Sequence, residues 1–238
     1  MFIFANIDIV DIGLWLLYLS IPILIFYIAY LIVTKAFRYM GFSSIEAVII
    51  VIGSLILGIP WSIKLFNLQI TNVLANIYLF TYGNWNVGIN MGGALIPIGL
   101  SIYLYFKKNI EWKKILIGIS IVAVVTYLVT YPDPTKGIVA KLPLGLIPAV
   151  FASIISVILL HKDFRKAAPL AYISGTIGVL IGADVFHLIE LLNHSIKTPT
   201  NAVIGGANVF DMVFITGIIA VIVDGIIMFR QRMKAGIE

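Results

Sequence analysis

Residues 168–192 read APLAYISGTIGVLIGADVFHLIELL, and this stretch decides which kind of fold the chain can adopt. A helix needs about 20 mostly apolar residues to cross the hydrocarbon core of a bilayer, and this stretch exceeds that length. Gly175, Gly178 and Gly182 recur at helical spacing, which predicts a face of small residues against which another helix packs closely. The same stretch carries an acid, Asp184. It therefore predicts a membrane helix that holds a candidate functional group.

The composition of the whole chain agrees with this helix. Of the 238 residues, 61% are hydrophobic and 11% are charged, and the mean hydropathy is +1.08. Soluble domains carry about 25% charged residues, so the composition excludes a water-soluble globule, and disordered chains need the opposite balance. The chain has no cysteine, which excludes a disulfide framework, a cysteine-ligated metal and a thiol nucleophile. An isoleucine-rich, cysteine-free chain also hints at a thermophilic archaeal source.

We expect one all-α domain over residues 1–238, a polytopic membrane protein with about seven transmembrane helices. The predicted spans cover residues 13–34, 44–60, 87–106, 115–131, 142–160, 168–192 and 206–229. Twelve of the sixteen Lys and Arg residues fall in the loops on one side of these spans. Because basic loops stay on the cytoplasmic side, the N-terminus is predicted outside and the C-terminus inside, in the cell (plasma) membrane. The net charge of +5 is then a signal of topology, and no nucleic-acid partner is expected.

Two predicted outer segments are ambiguous. Residues 65–86 mix polar and aromatic residues with apolar ones, which fits an interfacial helix or a lid. Trp61, Tyr78, Tyr82 and Trp85 suit an aromatic belt at the level of the lipid headgroups. Residues 193–205 are predicted to form an outer loop that leads into two glycines.

Two similar motifs suggest an internal repeat. Gly92-Gly93-Ala94 opens the third span, and Gly205-Gly206-Ala207 opens the seventh. Both spans run from outside to inside. We therefore predict a weak parallel repeat of spans 1–3 and 5–7, with span 4 as the connector, as in many transporters.

Asp184 and Asp211 lie at lipid depth, where a charged aspartate costs about 2.5–3.5 kcal/mol. They lie on consecutive antiparallel helices at similar depth, so we expect them to face each other. Two adjacent carboxylates in a low-dielectric site share a proton, and aspartic proteases use this arrangement to activate water. The two acids are therefore predicted to be catalytic. The same acids fit a site for a cation or a proton, or a structural contact, and Asp224 fits a contact between helices.

The polar site is predicted to open outward between spans 3, 6 and 7. Its candidate substrate-binding residues are Asn90, Gly92, Gly93, Gly205, Gly206 and Asn208. His187, Glu190 and His194 share a helix face with Asp184, and imidazole with carboxylate suits zinc or iron. Their spacing differs from the His-Glu-x-x-His pattern of zinc proteases. We predict no bound metal and no cofactor.

Several motifs together resemble an uncharacterised family of archaeal and bacterial polytopic membrane proteins, domain of unknown function 1614. They are NMGGALIP at 90–97, AYISGT at 171–176 continuing to IGAD at 181–184, and GGANVFD at 205–211 with FITG at 214–217. The resemblance covers about residues 57–223. It implies that these positions matter to the family, and it implies no particular activity.

Two aspartates on consecutive helices also look like the intramembrane aspartyl proteases of the presenilin and signal-peptide-peptidase class. That class has Gly-x-Gly-Asp at its second aspartate, where this chain has Asn208-Val209-Phe210-Asp211. It also has a tyrosine before its first aspartate, where this chain has Ala183, a Pro-Ala-Leu motif that is missing here, and nine spans. The similarity is one of architecture.

Three functions follow from these observations. The leading hypothesis is an intramembrane aspartyl-type hydrolase that acts on a transmembrane peptide through Asp184 and Asp211. The second is a transporter or channel that binds a cation or proton at the same acids, with Asn90 and Asn208 as further ligands. The third is a non-catalytic membrane scaffold. Membrane lipids are the partners that all three share.

Overall fold

The computed structural model describes residues 9–65, 68–141, 143–161, 163–206 and 212–235. The chain is mostly helical (68%), which confirms the helical part of the prediction. In the described residues the helices are α1 Ile9–Met40, α2 Ser44–Gly58, α3 Ile96–Lys108, α4 Trp112–Val129, α5 Ile147–Leu159, α6 Phe164–Val179, α7 Phe186–Leu192 and α8 Met212–Ala235. A first π-helical turn, Met91–Leu95, leads into α3, and a second, Leu180–Val185, joins α6 to α7.

The helices fall within or close to the seven predicted spans. By length and composition, three described helices can cross a membrane: Gly13–Met40, Trp112–Val129 and Arg165–Leu192. Three shorter apolar helices accompany them, at Ser44–Gly58, Leu144–Leu159 and Ile215–Ile227. Apolar composition and helix length therefore both indicate a membrane protein.

The expectation of an all-α fold is wrong, because short strands connect the helices. They are β1 Ser62–Leu65, β2 Leu68–Thr71, β3 Asn76–Tyr82, β4 Trp85–Asn90, β5 Thr130–Asp133, β6 Gly137–Ala140 and β7 Thr200–Ile204. Residues 65–86 thus contribute strands rather than an interfacial helix, and residues 87–90 of the third predicted span are strand. Gly83 and Asn84 form a two-residue hairpin turn, with Gly83 at φ +57°, the left-handed conformation that such turns require.

Among the described strands, the largest sheet has the order β3-β4-β7. β4 pairs with β3 antiparallel and with β7 in parallel, from Trp85 opposite Thr200 to Ile89 opposite Ile204. A parallel pair needs a long crossover, and here the crossover consists of α3 to α7. Trp85 is only 3% exposed and its indole N–H donates to the His194 carbonyl at 3.1 Å, so Trp85 does not belong to an aromatic belt.

α6 occupies the centre of the helical packing and contacts α4, α5 and α8. The predicted small-residue face makes these contacts. A Cβ on Gly175 would lie 3.5 Å from the side chains of Ala152 and Ala220, and a Cβ on Gly178 would lie 2.6 Å from Val122 Cβ. The glycines therefore bring α4, α5 and α8 close to the helix that carries Asp184.

Candidate functional site

An open cleft of about 370 Å³ lies beside Asp184. Three structures form its walls: strand β7, the turn of the β5–β6 hairpin, and the segment from the second π-helical turn into α7. The lining residues are Trp85, Pro134, Thr135, Lys136, Gly137, Ile138, Asp184, Leu188, Leu191, Thr200, Asn201, Ala202, Val203, Ile204 and Gly206. The cleft is thus a mixed polar and apolar site with one carboxylate and one ammonium group on its walls.

Asp184 is held in place by the segment that follows β7. It lies in the second π-helical turn and is half-buried. Its Oδ2 accepts a hydrogen bond of 2.9 Å from the backbone N–H of Gly205. Single π-helical turns inside α-helices are frequent at functional sites. The carboxylate is therefore both oriented and accessible from the cleft.

Gly205 is required here for two reasons. Its φ of +69° is a left-handed conformation, which a residue with a side chain rarely adopts. A Cβ at this position would also lie 2.7 Å from the Gly93 carbonyl carbon and 2.8 Å from Ala94 Cβ. The two Gly-Gly-Ala motifs that the sequence analysis singled out are thus in contact, through Gly205, Gly93 and Ala94.

Asn90 lies behind this contact and is buried. Its Nδ2 donates to the Gly58 carbonyl and to Asn76 Oδ1, both at 2.8 Å, and its Oδ1 accepts from the Gly93 N–H at 2.8 Å. Asn90 therefore fastens the first π-helical turn to the end of α2 and to β3. Of the predicted substrate-binding residues, Gly206 lines the cleft, while Asn90, Gly92 and Gly93 are buried away from it; their ligand roles stay predictions.

Replacing Asn90 by alanine should destabilise the fold by about 2 kcal/mol, because the buried Gly58 carbonyl and the buried Gly93 N–H would lose their partner. Thermal unfolding in detergent measures this change. Asn201→Ala is the matched control, because the Asn201 side chain is exposed and should tolerate truncation within about 0.5 kcal/mol. Equal melting temperatures for the two variants would contradict the role assigned to Asn90.

Asn208 and Asp211 lie outside the described residues. The residues on either side of them are described. Gly205 donates to Asp184, and Val213 belongs to the same buried apolar cluster as Ala183 and Leu180, beside Asp184. Of these flanking residues, Gly205 is the one bonded directly to the π-helical turn that carries Asp184.

The predicted histidine and glutamate face is bonded within the protein. In the described part of the chain, no group of three or more His, Asp or Glu side chains is arranged to hold a metal ion. The His187 ring nitrogens lie 3.1 Å from Glu190 Oε2 and 3.2 Å from the Tyr127 carbonyl oxygen, and the Tyr127 hydroxyl donates to Glu190 Oε1 at 2.9 Å. The His187 and Tyr127 rings stack at 4.5 Å. These contacts fasten α7 to the end of α4.

Asp224 lies in the second half of α8, away from the cleft. Its carboxylate is 1% exposed and accepts a hydrogen bond of 2.7 Å from Ser156 in α5. The expected contact between helices is confirmed.

The hairpin turn that borders the cleft depends on Asp133, which lies outside the helices. The Thr135 hydroxyl donates to Asp133 Oδ1 at 2.6 Å, and the backbone N–H groups of Thr135 and Lys136 donate to the same oxygen. These donors, the hydroxyl first, hold the pKa of Asp133 below its usual value of 3.8. The ionised carboxylate therefore stabilises the turn that carries Lys136.

Acidification should loosen this turn. The pKa of Asp133 in the folded state is lower than its usual value of 3.8. Its hydrogen bonds therefore stabilise the turn at pH values above 3.8, and this stabilisation is lost as the pH falls through the folded-state pKa. Hydrogen-exchange protection factors for the Thr135 and Lys136 amides should fall between about pH 5 and pH 2. In Asp133→Ala, protection should be low at every pH, and a wild-type protection factor independent of pH would contradict this account.

Neither strand β7 nor the contribution of Lys136 to the cleft was predicted from the sequence. Thr200, Val203 and Ile204 are β-branched, and the glycines that follow them end the run, so a strand signal was present. The run lies inside residues 193–205, for which the sequence predicts an outer loop. Its pairing with β4 depends on residues more than a hundred positions earlier, which local sequence does not reveal.

The chain matches the family described as "Protein of unknown function (DUF1614)" over residues 54–223, and it belongs to that family. The match covers the segment that builds the cleft, from the end of α2 to the middle of α8. No curated protein and no solved structure is similar enough to match the chain. The comparisons give no support to the presenilin resemblance, so a proposal for the chemistry depends on the residues of this chain alone.

Proposed function

We propose that this protein is an intramembrane aspartyl-type hydrolase whose catalytic residues are Asp184 and Asp211. One observation carries the proposal: the Asp184 carboxylate faces an open cleft and is bonded to Gly205, six residues before Asp211. Val213, two residues after Asp211, packs in the cluster that contains Ala183. These contacts of Gly205 and Val213, the described residues on either side of Asp211, favour a second carboxylate within reach of the first.

The proposal includes the topology. Seven helices cross the membrane, with the N-terminus outside and the C-terminus inside, in the plasma membrane. The excess of Lys and Arg on one side of the predicted spans supports this orientation. β4, β7 and the β5–β6 turn all belong to segments on the opposite, outer side. In this topology the cleft opens near the outer leaflet, where water and a membrane-embedded peptide can both reach it.

In the proposed reaction the two acids share one proton. The ionised carboxylate takes a proton from a water molecule, whose oxygen attacks the carbonyl carbon of a peptide bond. The protonated carboxyl donates a hydrogen bond to the carbonyl oxygen. The C–N bond then breaks, a proton passes to the amine nitrogen, and the products are a carboxylic acid and an amine. The Gly205 N–H fixes the direction of the Asp184 carboxylate throughout.

A transporter or channel for a cation or a proton is the second candidate. Buried polar side chains lie between α5, α6 and α8, including Ser153, Ser156, Thr176, Thr216 and Asp224. They extend from the outer half of the bundle toward the inner end of α8, which favours a polar path. The helices nevertheless close on each other along this row, since Gly175 packs against Ala152, Ala220 and Thr216. The open cleft beside Asp184 therefore favours hydrolysis.

Reconstituted protein separates the candidates. Purified protein in liposomes is given a transmembrane peptide labelled at both ends, and the products are measured by mass spectrometry. The hydrolase produces two fragments that differ from the peptide by one water in total mass. Cation or proton flux that depends on Asp184 and Asp211, without cleavage, would establish the transporter instead. The absence of both cleavage and flux would favour the non-catalytic scaffold.

A further inference from the structure

Strand β7 has a free edge within the described part of the chain. It is the last strand in the order β3-β4-β7, so one of its sides pairs with β4 and the other does not pair with a described strand. The Thr200 N–H donates to the Asn84 carbonyl on the β4 side. Because backbone groups alternate along a strand, Asn201 and Val203 direct theirs to the opposite side.

The free edge opens into the cleft. Asn201 and Val203 both line it, and the turn of the β5–β6 hairpin forms the facing wall. The Val203 carbonyl accepts a hydrogen bond from the Gly206 N–H, so the Asn201 N–H, the Asn201 carbonyl and the Val203 N–H stay available along this edge. Soluble and membrane proteins usually cover or block such an edge, because it is a template for another strand.

The remaining walls suit a peptide with apolar side chains. Ile138, Leu188 and Leu191 supply apolar surface. Lys136 is the cationic side chain on the wall, and it is exposed. An extended segment with apolar residues and one carboxylate complements these features.

We propose that the β7 edge binds an extended peptide segment of another protein by strand addition, with an acidic group of that segment next to Lys136. In this mode, backbone hydrogen bonds supply affinity and side-chain pockets supply specificity. β7 runs toward Gly205, whose N–H is bonded to Asp184, so a segment paired with β7 is led to the Asp184 carboxylate. The inference rests on the proposed hydrolase function for its substrate, and it names the substrate class as extended peptide.

The opposite edge of the same sheet provides an internal control. β3 also has a free edge in the described residues, and its side chains are exposed, but it does not line the cleft. Because the native chain has no cysteine, a single cysteine can be placed on either edge. Asn201→Cys reports on β7, and Tyr78→Cys reports on β3.

The test measures binding without cleavage, in the Asp184→Asn protein. The probe is a fluorescent ten-residue peptide of alternating valine and threonine with one aspartate and one central cysteine. We expect disulfide capture at Asn201→Cys and at least tenfold less at Tyr78→Cys. Two further probes are methylated at one or the other alternate set of backbone nitrogens. Methylation of the set that donates to β7 should weaken binding about tenfold, and methylation of the set that points away should weaken it little.

The outcomes separate the docking proposal from the proposed function. Equal capture at both edges, or equal effects of methylation at the two sets of nitrogens, would overturn strand addition at β7. Lys136→Gln should weaken the aspartate probe about fivefold and leave an asparagine probe unchanged, and equal effects on the two probes would overturn the assignment of Lys136. Capture by Asn201→Cys in a protein that keeps Asp184 and Asp211, with no cleavage of the peptide, would refute the hydrolase and leave the docking site standing.

Discussion

Replacing either Asp184 or Asp211 by asparagine should lower the rate of peptide cleavage in liposomes by about 10³-fold or more. Residues that act as one catalytic unit lose nearly all of their effect when one member is removed, so the double variant should be little slower than either single variant. Asparagine keeps an oxygen that accepts the Gly205 N–H, and the fold at position 184 should therefore survive.

Glu111→Gln is the matched control for charge removal. Glu111 is exposed and pairs with Lys114 before α4, on the predicted inner side and far from the cleft. Its rate should stay within about twofold of wild type, because exposed ion pairs contribute little. Cleavage that survives in Asp184→Asn or Asp211→Asn would eliminate the proposed mechanism.

Gly182→Ala should destabilise the protein by about 3 kcal/mol. A Cβ at position 182 would overlap the Ala123 carbonyl oxygen and come within 2.8 Å of Thr126 Cβ. Backbone of α4 cannot yield as a flexible side chain can, so α4 and the π-helical turn must separate. The shift should also displace Asp184, two residues away, and reduce cleavage. Unfolding in detergent and the cleavage rate measure the two effects.

Gly99→Ala provides the comparison for this prediction. Gly99 also lies in a helix, but no neighbouring atom lies within 4 Å of a Cβ at that position. Alanine should there be neutral or stabilising by up to about 1 kcal/mol, since it restricts the unfolded chain more than glycine does. Equal destabilisation by Gly182→Ala and Gly99→Ala would show that close packing at Gly182 does not cause the loss of stability.

The sequence predicted the helices well because their signal is local. Long apolar runs end at charged residues or at glycine and proline, and the helices α2, α4 and α5 begin and end within a few residues of their predicted spans. The glycine face of α6 was likewise visible as a spacing. These features follow from chain composition over about 20 residues.

The pairing of β4 with β7 was missed because these two strands are distant in sequence. Trp85 lies opposite Thr200, and the local sequence of neither strand indicates that the two strands pair. The same long-range pairing explains why Trp85 seemed suited to a membrane interface and why Asn90 seemed suited to a ligand. Asp184 was predicted from the cost of its charge in lipid. The cleft beside it could not be predicted from the sequence, because β7 and the β5–β6 turn form its walls.

The distance between positions 184 and 211 tests the central claim most directly. In the cysteine-free chain, Asp184→Cys with Asp211→Cys introduces the only two thiols. Thiols on neighbouring side chains form a disulfide on mild oxidation, or are joined by a short bifunctional thiol reagent.

The control pair is Asp184→Cys with Asp224→Cys, because position 224 lies about 18 Å along α8 from its first residue. We expect intramolecular cross-linking of 184 to 211 and none of 184 to 224. Failure of the 184–211 pair to cross-link, with both thiols reactive toward a single-site reagent, would contradict the proposed catalytic pair.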